Sequence, residues 1–536
     1  MAKVLIVNPV IRAEDDPRHV PYGLALLAGV ASREGHQIQV FDSNGWRPSD
    51  EELVEAIQAD DWDVIATGGI TTAYGYMKKT VQLARQYAPN VLIMMGGGAL
   101  TAMPRDIMGF CPEIDLGGIG EGVVTFPEVL KKIDEGRTRT GDWSDIAGII
   151  WRSAGGEVHL NPERPLMAEI DTLPFPAYEL FPLDIYFKNS CILLSEEAMQ
   201  AKRRLDINMS YGCSLICRFC FHLGLTGDMK YTDTQQADGG DVVFNNDRNI
   251  RWHSAEYVVK QVKYMKERFN VDFVSFLDEN LMTMHVSTHK KWLFEISDLW
   301  IKAGLQPSCV RDGVPHDAKT CDGVHWGGTS HATLAYPEVL QAMKRAGCTY
   351  LDYGLESFSD RVLKTIGKGA TVKTNERCLR ITMEAGIRPI PNQIIGFPDE
   401  FFDSLYDNLT FWDRMGIMVK PFFATPYPGS EWYYTYKDRI LEQYDGDLEA
   451  FILDLGDATK ITAVIAHNFN AVELLGLREL MLQRDIKRIR EYEQTWRAIH
   501  GEPKFSKEVL ARKASALRES EAVPVQLMSP TRLAVL

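Results

Sequence analysis

The chain has 536 residues, of which 45% are apolar and 24% are charged, and its formal net charge is −15. This length exceeds what one hydrophobic core usually organises, so two or three domains are expected, and the composition excludes a disordered or low-complexity protein. The acidic balance argues against a nucleic acid as the main partner, because phosphate neutralisation needs clustered Lys and Arg, and it favours a small-molecule substrate.

The amino-terminal sequence, MAKVLIVNPV, carries an apolar run that is too short for a signal peptide. No stretch of the chain approaches the roughly 20 apolar residues of a membrane span. The nine cysteines are odd in number and spread through the chain, which is typical of reduced thiols rather than of a disulfide framework. These features predict a cytoplasmic protein without a membrane span.

Strand and helix patterns alternate through the first 130 residues. The buried run VLIV, Val4–Val7, is followed by the helical pattern PYGLALLAGVASREG. Further strands are predicted at HQIQVFDS, DVIATGG, NVLIMMGGG and IDLGGIGEG, with helical patterns between the first four strands. Strands separated by helices of this length predict an α/β domain with a doubly wound parallel sheet over residues 1–150.

Glycines cluster at the carboxyl ends of these strands, where parallel sheets bind their ligands. They are Gly68, Gly69, Gly96, Gly97, Gly98, Gly120 and Gly122. No G-x-G-x-x-G follows the first strand, so a nicotinamide dinucleotide is not favoured. Glycines at several strand ends suit a large ligand whose tail passes close to the backbone, and simple turn glycines are the alternative.

The rest of the chain divides into three segments. Residues 151–202 contain five prolines and little periodicity, which predicts a linker. Strand and helix patterns resume over residues 203–432 and predict a partial (β/α) TIM-type barrel, whose chemistry would lie at the C-terminal strand ends. Residues 433–536 have helical spacings and predict a helical C-terminal region that caps the barrel.

The sharpest local pattern is MSYGCSLICRFC, in which a short strand and Gly212 precede Cys213-x3-Cys217-x2-Cys220. Three thiolates in one loop can each ligate one iron of a cubane and leave the fourth iron open to a substrate. A structural zinc site normally has four closed ligands at C-x2-C spacings, and His222 lies only two residues past Cys220. The pattern therefore favours a [4Fe–4S] cluster over zinc.

Two stretches after the cysteines are candidates for substrate selection. Residues 224–250 form a long polar loop. Residues 306–332 are rich in glycine and contain a set of cysteines and histidines, namely Cys309, His316, Cys321, His325 and His331. Because their spacings match no usual metal site, a lid over the active site is the favoured interpretation, and a second metal is the alternative.

A C-x3-C-x-aromatic-C pattern after a short strand, at the head of a βα series, resembles the radical S-adenosylmethionine superfamily. The resemblance implies that S-adenosylmethionine chelates the open iron, that the reduced cluster splits it into methionine and a 5′-deoxyadenosyl radical, and that Phe219 lies near the adenine. The later segments FLDEN and YGLESFSDRVLKTIGKG are similar to further motifs of this superfamily. They imply that Asp278 or Glu279 faces the S-adenosylmethionine site and that Glu356 approaches the cofactor. For each carboxylate a surface or salt-bridged role is the alternative.

The segments PYGLALLAGVASREGHQIQVFD, MGGGALTAMP and IDLGGIGEGVVTF, placed before such a barrel, resemble the Rossmann-like cobalamin-binding domain of B12-dependent radical S-adenosylmethionine enzymes. The resemblance implies that the strand-end loops bind cobalamin. The residues it nominates are Thr71, Thr72, Tyr74, Gly96, Gly97, Gly98, Gly120 and Glu121. Domains with a histidine lower ligand carry D-x-H-x-x-G, whereas here His19 lies four residues before Gly23. A loop or phosphate-contacting role is therefore favoured for His19 over cobalt ligation.

The combined resemblance implies a cobalamin-dependent radical methylase that acts on an unactivated carbon, or on phosphorus, of a small molecule. One S-adenosylmethionine would methylate reduced cobalamin, and a second would yield the radical that removes a substrate hydrogen. The expected partner is an electron donor such as flavodoxin or ferredoxin. The alternatives are an oxidative cyclase resembling the anaerobic porphyrin cyclases, a tRNA methylthiotransferase, which the single cysteine before residue 150 disfavours, and a sensor without turnover.

Overall fold

The computed structural model describes residues 1–215, 217–221, 229–231, 242–244, 250–288 and 290–506. Seven strands form the first sheet, in the order β2-β1-β3-β4-β5-β6-β7. Their bounds are β1 Lys3–Asn8, β2 Gln37–Asp42, β3 Val64–Gly68, β4 Leu92–Gly96, β5 Leu116–Gly118, β6 Ile149–Arg152 and β7 Val158–Leu160. Strands β1–β5 are parallel, and β6 and β7 add an antiparallel edge.

Helices cover both faces of this sheet. They are α1 Tyr22–Arg33, α2 Ser43–Trp46, α3 Asp50–Gln58, α4 Tyr74–Tyr87, α5 Gly98–Ala102, α6 Pro104–Phe110 and α7 Gly122–Asp134. Successive side chains of a strand point to opposite faces. In β1, accordingly, Val4 and Ile6 pack in one core with α1 and α7, whereas Leu5 and Val7 pack in another with α3 and α4. The predicted doubly wound sheet is confirmed.

The first sheet continues beyond residue 150, where we expected the linker to begin. Strands β6 and β7 carry it to Leu160, and two short helices, α8 Leu183–Lys188 and α9 Glu196–Gln200, follow. Strands β6 and β7 form a hairpin of only four and three residues, with prolines close after it. Such short strands show too little alternation of apolar and polar residues to be predicted from the sequence. The boundaries of the domains otherwise stay predictions.

The second sheet is a curled half-barrel of six parallel strands in the order β8-β13-β14-β15-β16-β17. Two antiparallel strand pairs, β9 with β12 and β10 with β11, come between β8 and β13 in the chain. The bounds are β8 Arg204–Ile207, β9 Ser210–Tyr211, β10 Met229–Tyr231, β11 Val242–Phe244, β12 Arg251–Trp252, β13 Phe273–Phe276, β14 His325–Ser330, β15 Cys348–Glu356, β16 Arg388–Ile395 and β17 Phe422–Phe423. The predicted partial barrel is confirmed. Apart from β10 and β11, most of the polar loop 224–250 lies outside the described residues.

Helices cover the convex side of the half-barrel and form most of the C-terminal region. The barrel helices are α10 Ala255–Phe269, α11 Leu281–Ser287, α12 Trp292–Lys302, α13 Ser308–Asp312, α14 Pro337–Arg345, α15 Asp360–Thr365, α16 Val372–Glu384 and α17 Phe402–Met415. The later ones are α18 Glu431–Thr435, α19 Lys437–Gln443, α20 Leu448–Asp454, α21 Ala471–Leu482 and α22 Ile486–His500. Trp496 of α22 packs on Phe401 and Phe402 at the start of α17. Phe451 of α20 belongs to the core of the first sheet, so the helical tail contacts both domains.

Among the helices described, none is both long and apolar enough to cross a membrane.

Candidate active site

The cysteine loop lies at the C-terminal end of the half-barrel, directly after β8 and β9. Gly212, with φ 95°, turns the chain out of β9 into the loop. Cys217 is buried, whereas Cys213 and Cys220 are half-buried. The backbone N–H of Cys220 donates to the carbonyl of Cys217 at 2.9 Å, so these two residues belong to one turn. The loop thus presents three thiols within a single turn-rich segment at the end where barrel chemistry takes place.

Asp278, which the resemblance placed at S-adenosylmethionine, is 1% exposed and holds the base of the cysteine loop. Its Oδ2 accepts a hydrogen bond from the backbone N–H of Met209 at 3.0 Å, and its Oδ1 accepts from the hydroxyl of Ser210. Burial raises the pKa of Asp278 to about 7. The carboxylate therefore positions the loop through its backbone.

The two residues after Asp278 contact the cysteine loop itself. Oε2 of Glu279 accepts a hydrogen bond from the N–H of Gly212 at 3.2 Å. The amide nitrogen of Asn280 lies 3.9 Å from the Sγ of Cys213, and its Oδ1 accepts from the N–H of His331 at 3.2 Å. Asn280 was not singled out from the sequence, although it closes the quoted segment FLDEN.

Glu356 forms a buried ion pair beside the cysteines. It ends β15 with φ 62°, and its Oε1 lies 2.9 Å from Nζ of Lys368. Both side chains are 8% exposed. Burial alone would lower the pKa of Lys368, but the Glu356 carboxylate and the thiols of Cys217 and Cys220 raise it well above its usual value. Lys368 is thus a cation close to two of the three thiols, and sequence reasoning missed it because a lysine is ordinarily a surface residue.

Phe219 lies in an aromatic wall next to the same lysine. Its ring centroid is 5.7 Å from that of Trp432 and 6.3 Å from that of Phe397. Nζ of Lys368 lies 5.6 Å from the Phe219 ring. An apolar wall of this kind lowers the local dielectric around a cluster, and solvent exposure is one of the factors that set cluster potential.

The glycine-rich edge of the first sheet has the open backbone that the sequence predicts. A Cβ on Gly97, whose φ is 84°, would lie 2.7 Å from the N of Gly69, so the turns after β3 and β4 touch. Gly120, with φ 71°, donates its N–H to the Thr101 hydroxyl at 3.0 Å and has open space where a side chain would be. A Cβ on Gly96 would meet nothing closer than 3.9 Å. The backbone at this edge is therefore accessible to a large ligand.

The loop after β3 contributes polar atoms to this edge. Thr71 is buried at 8% exposure, and Gly98 opens α5 on the adjacent turn. The hydroxyl of Thr72 is buried and has no hydrogen-bond partner among the described residues. A buried hydroxyl without a partner is unfavourable, so a bound ligand that accepts or donates a hydrogen bond here would satisfy it.

Tyr74 corrects one expectation from the sequence. Its ring is fully buried in the core of the first domain, and its hydroxyl donates to Glu449 of α20 at 2.5 Å and lies 3.5 Å from the thiol of Cys111. The side chain follows the apolar face of α4 into the core instead of the strand-end edge. Its hydroxyl is therefore committed to the C-terminal helices and not to a cofactor.

His19 pairs with the barrel. Its Nδ1 lies 2.7 Å from Oδ2 of Asp206 in β8, and Asp206 is 1% exposed. Burial alone would raise the pKa of Asp206, but His19 and Arg204 hold it below its usual value. This pairing favours a positioning role for the first loop, in line with the spacing that disfavoured His19 as a cobalt ligand.

The strand-end edge of the first sheet adjoins the cysteine loop. Glu121, after Gly120, forms a two-point ion pair with Arg251 of β12, with Nη1 and Oε2 2.8 Å apart. Strand β12 pairs with Tyr211 of β9, which leads into the cysteines. Gly429 lies between the two domains in a second place. A Cβ built on it would be 3.5 Å from the Cβ of Ala102 in α5 and 3.2 Å from the carbonyl oxygen of Phe221, the residue after Cys220. The two edges nominated for cofactors thus meet.

The donor chemistry of both edges fits the expected cofactors. Soft thiols beside an apolar wall suit an iron–sulfur cluster. An open glycine-rich edge with an unsatisfied buried hydroxyl suits the tail of a large ligand such as cobalamin.

Comparison with known proteins gives the same assignment for both domains. The family model of the B12 binding domain matches residues 9–130, and that of the Radical SAM superfamily matches residues 207–411. An uncharacterized methyltransferase, PH0819, of Pyrococcus horikoshii is 27% identical over 82% of this chain and 84% of its own length. The anaerobic magnesium-protoporphyrin IX monomethyl ester cyclase of Rubrivivax gelatinosus is 22% identical over 84% of this chain and 72% of its own length.

A solved structure has the same fold. The cobalamin-dependent S-adenosylmethionine radical enzyme OxsB, with aqua-cobalamin and S-adenosylmethionine bound, superposes with a TM-score of 0.62 at 14% identity, over 97% of this chain and 75% of that one. Both matched domains, in this order, account for the cysteine loop and for the glycine-rich edge. The chain therefore belongs to the cobalamin-dependent radical S-adenosylmethionine enzymes, whose cofactors are a [4Fe–4S] cluster, S-adenosylmethionine and cobalamin.

Proposed function

We propose that this enzyme is a methyltransferase that methylates an unactivated carbon, or a phosphorus, of a small molecule. The observation that carries the proposal is the contact between the two cofactor edges through Glu121 and Arg251. A radical and a methyl donor must both reach one substrate atom, and holding reactants in near-contact geometry supplies much of such a rate. The similarity to a methyltransferase over 82% of the chain supports the same reaction.

In this proposal Cys213, Cys217 and Cys220 are the cluster ligands. When bound, the cluster with S-adenosylmethionine supplies a carbon radical, and cobalamin supplies a methyl group. The protein residues position these groups: Asp278 holds the strand that leads to the thiols, and the pair of Lys368 with Glu356 places a buried cation beside them. Phe219 and its aromatic neighbours exclude water from the cluster side of the site.

The partners in this proposal are a small-molecule substrate and a one-electron donor such as flavodoxin or ferredoxin. The net charge of −15 gives no reason to expect a nucleic acid substrate. A cytoplasmic location is part of the proposal, because free thiols and a low-potential cluster persist in a reducing compartment.

The second candidate is oxidative cyclisation without methyl transfer. It is favoured by the similarity to a magnesium-protoporphyrin IX monomethyl ester cyclase over 84% of the chain. Both reactions would use the same cofactors, and they differ in the fate of S-adenosylmethionine. A methyltransferase forms S-adenosylhomocysteine as well as 5′-deoxyadenosine, whereas a cyclase forms only the latter.

Nucleoside analysis tests the proposal without a known substrate. The reduced, reconstituted protein is incubated anaerobically with S-adenosylmethionine, and we expect both 5′-deoxyadenosine and S-adenosylhomocysteine. The variant Cys213→Ala should lose 5′-deoxyadenosine. The control Cys378→Ala, which alters a buried thiol on α16, should retain both products. Formation of 5′-deoxyadenosine without cobalamin-dependent S-adenosylhomocysteine would refute methyl transfer.

A further inference from the structure

Four soft donors converge at the end of the half-barrel opposite the cysteine loop. Cys309 lies on α13, His316 and Cys321 lie in the loop after it, and His325 is the first residue of β14. One ligand atom from each lies within 4.8 Å of the others. In the register of the sheet, His325 pairs with Phe273 of β13, and Phe273 pairs with Arg204, the first residue of β8. His325 therefore lies at the N-terminal end of the parallel strands.

This position contradicts the expected lid for residues 309–325, whereas His331, at the other end of β14, does lie beside the cysteine loop through Asn280. The cysteine loop follows the C-terminal end of β8, whereas His325 lies at the N-terminal end of β14. At about 3.3 Å per residue, the length of β14 separates the two ends of the barrel by roughly 17 Å. The donors therefore cannot cover the active site. In barrel folds the N-terminal face contributes to stability and the C-terminal face to catalysis.

The distances among the donors match the edges of a tetrahedral site. Nε2 of His325 lies 3.5 Å from Sγ of Cys309 and 3.8 Å from Sγ of Cys321, and Nδ1 of His316 lies 3.7 Å from Sγ of Cys309. Zinc with Zn–S bonds of about 2.3 Å and Zn–N bonds of about 2.0–2.1 Å has S–N edges of about 3.5 Å. The two sulfurs are 3.1 Å apart, against an S–S edge of about 3.8 Å, so a small outward shift of one thiol completes the site.

Burial and composition of the loop indicate what such a site would do. Cys309 and His325 are 5% and 4% exposed, but no residue from Val310 to Asp322, all of which the structure describes, is buried. The loop therefore has no apolar anchor of its own. A segment without a hydrophobic core is commonly held by a metal or a disulfide.

We propose that Cys309, His316, Cys321 and His325 bind one structural zinc ion that fixes the 310–322 loop to the N-terminal face of the barrel. The donor set is two thiolates and two imidazoles, which zinc prefers, and all four positions are filled by protein, as in structural rather than catalytic zinc sites. The usual sequence spacings do not apply, because a helix, a loop and a strand each contribute ligands. The proposal is independent of the reaction at the cysteine loop.

Elemental analysis of the full-length, anaerobically purified protein tests the site. We expect one zinc per chain in the wild type and less than a tenth of that in Cys309→Ser/Cys321→Ser. The matched control Cys378→Ala removes a buried thiol from α16 and should keep its zinc. Because zinc is counted separately from iron and cobalt, the result does not depend on how fully the other cofactors are loaded.

X-ray absorption at the zinc edge of the wild type gives a second measurement if the double variant does not fold. We expect two sulfur scatterers near 2.3 Å and two nitrogen scatterers at about 2.0–2.1 Å. The proposal is overturned if the wild type contains no zinc, if the double variant retains it, or if iron occupies these ligands. Mass spectrometry that found Cys309 and Cys321 joined in a disulfide in the native protein would also overturn it.

Discussion

The ion pair between Glu121 and Arg251 should control how well cobalamin binds, although Arg251 belongs to the barrel. The side chains are 20% and 12% exposed, and they make two contacts. Arg251 also donates to the carbonyl of Met167 at 2.9 Å and lies over the ring of Tyr211. The pair therefore fixes the loop after Gly120 to β12, which pairs with the strand that leads into the cysteines.

The magnitude follows from the burial of the pair. Removing one partner of a fully buried ion pair costs about 3–5 kcal/mol, and partial exposure reduces this to about 2 kcal/mol. If the whole cost of about 2 kcal/mol destabilises the loop conformation that binds cobalamin, the dissociation constant for cobalamin rises by up to about 30-fold. We expect Glu121→Gln and Arg251→Gln each to weaken cobalamin binding to this extent. The double variant should be little worse than either single variant, because both changes remove the same contact.

Quenching of protein fluorescence measures the equilibrium binding of hydroxocobalamin to the apo protein. It gives the dissociation constants of the wild type, the two single variants and the double variant, which together form a double-mutant cycle. The control is Asp145→Asn, which breaks the pair of Asp145 with Arg137 beyond the C-terminal end of α7, away from Gly120, and should leave cobalamin affinity unchanged. If the effects of the two single variants were additive in free energy, or if Arg251→Gln bound cobalamin normally, Glu121 would contact the cofactor directly and the reasoning would be wrong.

Two further predictions concern Asp278 and His19. Because burial raises the pKa of Asp278 from 3.8 to about 7, its stabilising contribution is complete below pH 4 and is lost as the pH rises to 7, by about 4 kcal/mol. Denaturant titrations from pH 4 to 8 should therefore show a smaller loss of stability in Asp278→Asn than in the wild type. Burial also raises the pKa of Asp352 and Glu400 to about 7, but both proteins contain these groups, so their contributions cancel in the difference. Equal pH dependence of the two proteins would contradict the burial argument. His19 is paired with Asp206, so His19→Ala should keep cobalamin, and its cob(II)alamin EPR spectrum should match that of the wild type; loss of a nitrogen hyperfine pattern in the variant would instead identify His19 as a cobalt ligand.

The local patterns of the sequence determined most of the fold. Alternation of buried strands and helices is a local signal, and it predicted the doubly wound sheet, the half-barrel and the helical tail. The three cysteines and the glycine-rich strand ends could also be found from the sequence, because their chemistry depends on residue type and short spacing. Both family resemblances rested on these same segments.

Only the tertiary structure decided which way side chains point and which distant residues meet. Tyr74 lies next to two threonines at the cofactor edge, yet the apolar face of α4 carries its ring into the core. Lys368 and Asn280 approach the cysteines because strands β8, β13 and β15 bring their loops to the same end of the barrel.

The set of Cys309, His316, Cys321 and His325, at the N-terminal end of the barrel, was likewise brought together only by the tertiary structure. Its spacing has no periodic or motif signal, and the four donors meet because α13 packs where β14 begins. Contacts of this kind depend on strand order and register, which join residues far apart in the chain. A sequence pattern records neighbours along the chain, and it cannot record neighbours that only the fold creates.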